Sequence, residues 1–212
     1  GRVTGAPAPV AWPQWPRWQR CGVTMAVIVA ALFVIEGIDA ATDYRLDQAG
    51  IVPRSTDGLT GILWAPLLHI DFAHLIANVV PGAVLGFLLL MAGRFLAVTA
   101  VVWVVSGFGV WLTAPAGSVT VGASGIVFGW LTYLLVRGIF NRDFWQVLGG
   151  LVLFVVYGGI LWGLVPAGGS VSWQGHLFGA AGGVLAAWVL AGSDRGGRGG
   201  ADRGGPRSLT TT

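Results

Sequence analysis

The sequence predicts an all-α integral membrane protein built as a bundle of six transmembrane helices. Hydrophobic residues make up 55% of the 212 residues and charged residues only 10%, whereas soluble domains carry about 25% charged residues. Apolar segments of about 20 residues, the length that crosses a bilayer as a helix, recur along the chain. Several of the 11 tryptophans lie near the ends of these segments, as the interfacial anchors of spanning helices do.

The predicted spans together form one domain over residues 22–191. Each is a mainly apolar segment, and Pro81 is expected to kink the second one. The connection between the first two spans covers residues 39–67, which is too long for a simple turn and predicts local structure of its own. The six predicted spans are residues 22–38, 68–91, 95–113, 124–140, 144–164 and 173–191.

Two polar tails flank this domain. Residues 1–21 are rich in Pro, Trp and Arg, and we expect them to lie against lipid headgroups, because closely spaced prolines forbid a regular helix. Residues 192–212 are rich in Gly, Arg and Asp without apolar periodicity, which predicts a disordered tail. The first apolar segment lacks a small-residue cleavage site after it, so we interpret it as a retained span rather than a signal peptide.

The basic residues predict the orientation in the membrane. All 12 are arginines, and only Arg45 and Arg54 fall on the side opposite the termini. The positive-inside rule therefore places both termini in the cytoplasm, which is consistent with a bacterial-type plasma membrane. Because the arginines lie in short loops and tails, we interpret them as topology signals rather than as a nucleic-acid surface. The single cysteine, Cys21, excludes an intramolecular disulfide and a cysteine-based metal cluster.

In this topology the second, fourth and sixth spans all enter the membrane from the outer face. Each carries polar residues near its start: His69, His74 and Asn78 on the second, Ser124 on the fourth and His176 on the sixth. Polar side chains inside a membrane are costly and usually mark function. The fourth span has about 17 residues, or about 25 Å of helix, in a core of about 30 Å. We therefore expect Ser124 on the floor of a water-filled pocket that opens to the outside.

These residue types suit nucleophilic catalysis. A serine hydroxyl needs a base within hydrogen-bond reach, and His176 is the natural candidate. The oxyanion of the intermediate needs fixed donors, which the Ser124 N–H group and the side chains of His74 and Asn78 could supply. Gly122 and its neighbours allow close approach of backbone and substrate. The sequence places no carboxylate to orient His176, so it predicts a Ser–His dyad.

Small residues repeat every four positions on the fourth and sixth spans. Such stripes let helices pack closely in membranes. If the two stripes meet, Ser124 and His176 are brought together. The residues of the stripes are Gly125 and Gly129 on the fourth span and Gly175, Gly179, Gly183 and Ala187 on the sixth.

Three motifs on these spans resemble the signature of the rhomboid family of intramembrane serine proteases, and the resemblance covers residues 22–191. The motifs are His74-x-x-x-Asn78, Gly122-Ala123-Ser124-Gly125 and Gly175-His176-x-x-Gly179. The resemblance implies that Ser124 is the nucleophile and His176 the base. It further implies that His74 and Asn78 bind the oxyanion and that His69 supports them. The implied reaction is hydrolysis of a peptide bond in or near a transmembrane segment of another protein, without a metal or cofactor.

The chain departs from the family pattern at three places. Thr60-Gly61 stands where many members carry Trp-Arg, and Leu90 stands where a Glu is frequent. Phe128 replaces the tyrosine that commonly packs on the base, which keeps the stacking face and loses the hydroxyl. None of these changes touches the nucleophile, the base or the oxyanion donors.

Other functions fit the sequence less well. A metal site of His69, His74 and His176 would lack a carboxylate or thiolate partner and leave Ser124 unexplained. A transporter would show an internal repeat, which is absent from the sequence. The main alternative is a catalytically silent rhomboid-like protein that binds transmembrane clients, which would be expected to lose Ser124 or His176. The expected partners are transmembrane substrates and the lipid bilayer, with no sequence signal for an oligomeric state. The glycine-rich residues 165–172 predict a mobile lid.

Overall fold

The computed structural model describes the backbone of residues 15–166 and 172–201, with side chains up to Ala191. Within these residues the fold is all-helical and contains seven α-helices. Short 3-10 helices at Leu46–Ala49, Asp57–Leu59, Ala65–Leu67 and Gly158–Leu164 complete the fold. The α-helices are α1 (Arg17–Ala41), α2 (Gly61–Trp64), α3 (Phe72–Met91), α4 (Phe95–Thr113), α5 (Ser124–Asn141), α6 (Phe144–Tyr157) and α7 (Trp173–Ala201).

Five of the predicted spans are helices long and apolar enough to cross a membrane: α1, α3, α4, α6 with its 3-10 extension, and α7 up to Ala191. The protein is therefore a multi-pass membrane protein. The remaining predicted span, the fourth, is α5, which has 18 residues, of which 12 are buried. Its neighbours rather than lipid surround it, so it can carry more polar residues than the outer helices.

The observed helix ends differ from the predicted ones where local chemistry intervenes. Helix α1 begins at Arg17, directly after Pro16, because no proline follows to forbid a helix in the last part of the predicted tail. Helix α3 begins only at Phe72, since the Asp71 side chain caps it by accepting from the His74 N–H group at 2.7 Å. Pro81 lies inside α3.

Two further differences concern the last two spans. The fifth was predicted as one helix over residues 144–164, but α6 ends at Tyr157 and the chain continues as a 3-10 helix. Gly158 and Gly159 follow at once, and glycine is the poorest helix former after proline. Helix α7 continues to Ala201, beyond the predicted end of the domain, because extending an existing helix is far easier than starting one. Residues 1–14 and 202–212, the rest of the predicted tails, lie outside the described residues.

Helix α5 is the centre of the bundle. It packs against α3, α4, α6 and α7, and α7 also packs against α4. The closest approach is at the glycine stripes, since a Cβ atom on Gly179 would collide with the carbonyl oxygen of Gly125 and one on Gly183 with that of Gly129. The two glycine stripes therefore meet, so the condition stated for them above is fulfilled. The apolar core around them includes Leu85, Leu89, Val98, Val102, Leu131 and Ala186, all fully buried.

The connection between α1 and α3 is fastened to α4 and to the segment before α5. Ile51 and Thr120 exchange two backbone hydrogen bonds of 2.9 and 3.0 Å. The Arg54 Nη1 group donates to the carbonyl oxygens of Leu112 and Ala114, at 3.0 and 2.9 Å. The predicted local structure of this connection is confirmed.

Two tryptophans of α4 also hold this connection. The Trp103 Nε1–H group donates to the Ile62 carbonyl at 2.6 Å, and the Trp111 Nε1–H group donates to the Ser55 carbonyl at 2.9 Å. Gly61 packs so tightly on the Gly50 carbonyl that no Cβ atom fits there. Position 61, where the resemblance noted above would place an Arg, is thus filled by a close backbone contact.

Candidate active site

Ser124 is the first residue of α5 and is partly exposed. The two residues before it are tied to the connection between α1 and α3. The Gly122 N–H group donates to the Ala65 carbonyl at 2.8 Å, and the Ala123 N–H group approaches His69 Nε2 at 3.4 Å. These bonds fix the loop that presents the serine.

His69 is fully buried under that loop. Burial lowers its pKa to about 4, with a smaller effect from nearby His74. The ring is therefore neutral at neutral pH, as it must be for Nε2 to accept a hydrogen bond from Ala123. Its ring also meets the edge of the His74 ring at a centroid distance of 5.3 Å. His69 therefore contacts both the loop before Ser124 and the ring of His74.

His74 lies directly against Gly122. Its Nδ1 atom faces the Ile70 N–H group at 3.5 Å, which favours a proton on Nε2. A Cβ atom on Gly122 would lie 2.7 Å from His74 Cε1 and 3.0 Å from His74 Nε2. Gly122 also has a φ of 118°, a conformation that favours glycine. A glycine is therefore required here both by the backbone and by the histidine beside it.

Asn78 lies one turn further along α3 and is buried. Its Nδ2 group donates to the His74 carbonyl at 3.0 Å. A carboxamide nitrogen carries two hydrogens, so this bond orients the amide and leaves a second N–H group for a ligand. Asn78 and Ala123 both line an apolar cavity of about 240 Å³ between α1, α3, α4 and α5.

His176 lies in the first turn of α7, and its ring is held on two sides. Its Nδ1 atom is 2.8 Å from the Gly163 carbonyl oxygen. A carbonyl can only accept, so Nδ1 carries the proton and Nε2 keeps its lone pair. The ring stacks on Phe128 at 4.1 Å and 8° between planes. Phe128 lies four residues after Ser124 on α5. The ring that stacks on His176 and the candidate nucleophile therefore belong to the same helix.

The start of α7 is fixed by Ser172. Its Oγ atom accepts from the Gly175 N–H group at 3.2 Å, and its carbonyl accepts from the His176 N–H group at 3.3 Å. Ser172 is the last residue of the predicted lid, 165–172. Residues 167–171 of that lid lie outside the described residues.

Two contributors to the site were missed by the sequence analysis. Gly163 orients His176 through its backbone carbonyl, which leaves no mark in the side-chain pattern. Ser106, on α4, donates through Oγ to the Gly175 carbonyl at 3.0 Å. A lone serine within an apolar span is a readable signal, and Ser106 could have been found from it.

Ser106 joins the two catalytic candidates through their neighbours. A Cβ atom on Gly125 would collide with Ser106 Oγ and lie 3.0 Å from the Gly175 carbonyl oxygen. The residue after Ser124 and the residue before His176 are therefore in direct contact. A cavity of about 30 Å³ lies beside them, lined in part by the hydroxyl-bearing residues Ser106, Thr120, Ser124 and Ser172, and it has room for about one or two water molecules.

Among the residues with described side chains, no group of three His, Cys, Asp or Glu could hold a metal ion. Fold and site together define a polytopic helical membrane protein with a serine and a histidine on glycine-packed neighbouring helices. A model of the family described as Rhomboid domain matches residues 56–193. The chain belongs to the rhomboid family.

Two mycobacterial relatives are similar along most of their length. "Uncharacterized protein Rv1337" of Mycobacterium tuberculosis (strain ATCC 25618 / H37Rv) is 48% identical over 190 residues, which cover 85% of this chain and 79% of the relative. "Uncharacterized protein ML1171" of Mycobacterium leprae (strain TN) is 47% identical over 189 residues, which cover 84% and 75%.

Proposed function

We propose that the protein is an intramembrane serine endopeptidase that cleaves peptide bonds in or near transmembrane segments of other membrane proteins. Ser124 is the nucleophile and His176 the general base. The observation that carries the proposal is the placement of His176. The Gly163 carbonyl holds the proton on Nδ1, and Phe128 fixes the ring plane against the helix that Ser124 begins. An imidazole held in this way has its basic nitrogen free.

In the proposed reaction Ser124 Oγ attacks the scissile carbonyl carbon while its proton passes to His176 Nε2. The negative oxygen of the tetrahedral intermediate accepts hydrogen bonds from the Ser124 N–H group, from His74 Nε2–H and from Asn78 Nδ2–H. His176 then gives its proton to the leaving amine as the C–N bond breaks. Water then attacks the resulting ester carbonyl while His176 Nε2 takes the proton of that water. The bond between the carbonyl carbon and Ser124 Oγ breaks, His176 returns its proton to Oγ, and the carboxylic acid product leaves.

The orientation belongs to the same proposal. Six spans, counting α5, would put both termini on one side, and the arginine distribution supports the cytoplasm as that side. The site would then open to the extracytoplasmic face of a bacterial plasma membrane. The mycobacterial relatives fit such a membrane. Suitable substrates are helices that unwind easily near that face, because a peptide bond inside a regular helix is shielded from Ser124.

The test is covalent labelling of the detergent-purified protein with a fluorophosphonate, which reacts with activated serines. We expect wild type to label, Ser124→Ala and His176→Ala to lose labelling, and the loop variant Ser118→Ala to keep it. Equal labelling of wild type and Ser124→Ala would overturn the proposal.

A second experiment separates the enzyme from the silent rhomboid-like alternative. Wild type and Ser124→Ala are co-expressed with a library of single-span membrane proteins. Fragments that depend on Ser124 identify a protease, whereas clients that are bound but left intact by both proteins identify a silent binding protein.

A further inference from the structure

A third cavity lies at the end of the bundle opposite the serine. It has a volume of about 670 Å³ and lies between the last turns of α3, the last turns of α5 and the part of α6 up to Leu153. Arg137, which lines it, follows Ser124 by 13 residues on α5, or about 20 Å of helix. The cavity is thus separate from the proposed catalytic site.

This cavity is a groove because of the way three helices meet. Helices α3 and α6 both pack against α5 but have little contact with one another. Close backbone approach at Gly150 draws α6 onto α5, since a Cβ atom there would lie 2.6 Å from the Leu135 carbonyl oxygen. The walls are mostly apolar and include Leu88, Met91, Leu134 and Leu153. In a bilayer, an apolar groove on the lipid side of a bundle suits an acyl chain.

One wall carries a positive charge. The Nε atom of Arg137 is buried and has no hydrogen-bond partner among the described residues. The Arg137 side chain hydrogen-bonds to Tyr133, but this bond leaves the Nε–H group unsatisfied, whereas buried donors are almost always paired. The Arg137 side chain lies one turn before the end of α5, from where it can extend along the groove towards the headgroup region.

Basic residues outnumber acidic ones in the part of the chain that forms this groove, since residues 88–153 contain Arg94, Arg137 and Arg142 and one acidic residue, Asp143. Asp143 lines it, but its Oδ1 atom accepts from the Gln146 N–H group at 3.1 Å as the cap of α6. The N-terminus of α6 adds a partial positive charge at the same place. Arg142 follows α5 directly and is exposed. Trp145, at the rim, is 75% exposed, as expected for an aromatic anchor at the bilayer interface.

We propose that this groove binds an anionic phospholipid, with its phosphate at Arg137 and an acyl chain along the apolar walls between α3 and α6. The lipid would hold α6 at its inner end, where α3 leaves it unsupported. The charge next to the groove favours a lipid of net negative charge over a zwitterionic one.

The test uses the full chain in a neutral detergent, with bound lipid counted by native mass spectrometry. The probes are phosphatidylglycerol, phosphatidylcholine and inorganic phosphate. We expect phosphatidylglycerol to bind roughly five-fold more tightly than phosphatidylcholine, the effect of about one basic side chain near a membrane surface. We expect inorganic phosphate not to displace it. Equal binding of both lipids, or displacement of the lipid by phosphate, would contradict the proposal.

Variants locate the site. Arg137→Gln should abolish the preference between the lipids, Arg137→Lys should keep most of it, and the exposed control Arg142→Gln should leave it unchanged. Gly149 lines the groove, and a Cβ atom there meets nothing within 4 Å, so Gly149→Leu should weaken the binding of both lipids by occupying the groove. A preference that survives Arg137→Gln would overturn the proposal.

Gly149→Leu decides the question if Arg137→Gln does not fold, because unchanged lipid binding in that variant would place the lipid elsewhere. None of these measurements depends on proteolysis. Ser124→Ala should bind the lipid as wild type does, so the failure of one proposal leaves the other standing.

Discussion

Helices α6 and α7 both flank α5, yet they are attached to it in different ways. Of an apolar 18-residue stretch within Trp173–Ala191 of α7, 56% is buried, compared with 6% of such a stretch within Phe144–Leu164. Helix α7 fits against α5 and α4 along a whole stripe of glycines, whereas the only buried residue of α6 is Gly150. The serine and the histidine are carried by the tightly packed pair, α5 and α7.

The loosely packed helix nevertheless contributes to the site. Gly163, in the 3-10 extension of α6, supplies the carbonyl that orients His176. The candidate site therefore has a fixed part and a part that depends on how α6 is held. This difference predicts that the glycine stripe of α7 tolerates almost no change, and that changes in the extension of α6 affect catalysis more than stability.

The largest effect is expected where α7 meets α5. A methyl group from Gly179→Ala would collide with the Gly125 carbonyl oxygen, which is backbone and cannot move aside. We expect a loss of about 1–3 kcal/mol in stability and loss of fluorophosphonate labelling, because Ser124 immediately precedes Gly125. Thermal unfolding in detergent and labelling measure the two effects.

The matched control is Gly37→Ala on α1, where a Cβ atom meets nothing within 4 Å. That variant should be as stable as wild type or more stable by about 0.5–1 kcal/mol, since alanine is the better helix former. If Gly179→Ala behaved like Gly37→Ala, the contrast between the two flanking helices would fail.

A smaller effect, confined to catalysis, is expected in the extension of α6. A Cβ atom on Gly163 would lie 2.8 Å from Phe128 Cζ and 3.0 Å from His176 Nδ1, so Gly163→Ala must displace the histidine ring. General-base catalysis contributes about 10²–10⁴ in rate, and we expect a loss of labelling rate within that range. The melting temperature should change little, because the extension contains no fully buried residue.

Gly159→Ala provides the comparison within the same 3-10 helix, because a Cβ atom at that position meets nothing within 4 Å. Its labelling rate should match wild type. Equal losses in both variants would mean that the extension acts through its general flexibility and not through the Gly163 carbonyl.

These contrasts also show which features could be read from the sequence. Helix α4 has its predicted bounds, Phe95–Thr113, because a long apolar segment between polar residues is a local signal. The candidates Ser124, His176, His74 and Asn78 stood out in the sequence because each is polar within an apolar span. The two glycine stripes could also be predicted from the sequence, because residues spaced four apart lie on the same face of a helix.

The features that could not be predicted depend on contacts between distant residues or on the backbone. Arg54 binds carbonyls 58 and 60 residues away, and no local pattern indicates that pairing. The Gly163 carbonyl belongs to no side chain, so the search for an acidic partner of His176 could not find it. Ser106 was visible but was passed over because it stands outside the three motifs.

The smallest effect is expected in the connection between α1 and α3. Its size shows whether this connection is held as firmly as the contact between α5 and α7. Burial, with the nearby charges of Asp39 and Glu36, raises the pKa of Asp47 from 3.8 to about 6. A carboxyl group whose folded-state pKa is raised stabilises the fold below its unfolded-state pKa. That stability is lost as the pH rises through about 6. Asp47→Asn keeps a neutral group at every pH, so its stability relative to wild type should increase between pH 4 and pH 7.

His69 contributes with the opposite sign, because its lowered pKa costs stability as the pH falls from 6.5 to about 4. Wild type and Asp47→Asn both contain His69, so comparing the two proteins at each pH cancels this contribution. Melting temperatures of wild type and Asp47→Asn in one detergent at pH 4, 5, 6 and 7 measure the difference. A difference that is constant across this range would show that Asp47 is solvated in the folded protein. The connection would then resemble the loosely held α6 rather than α7.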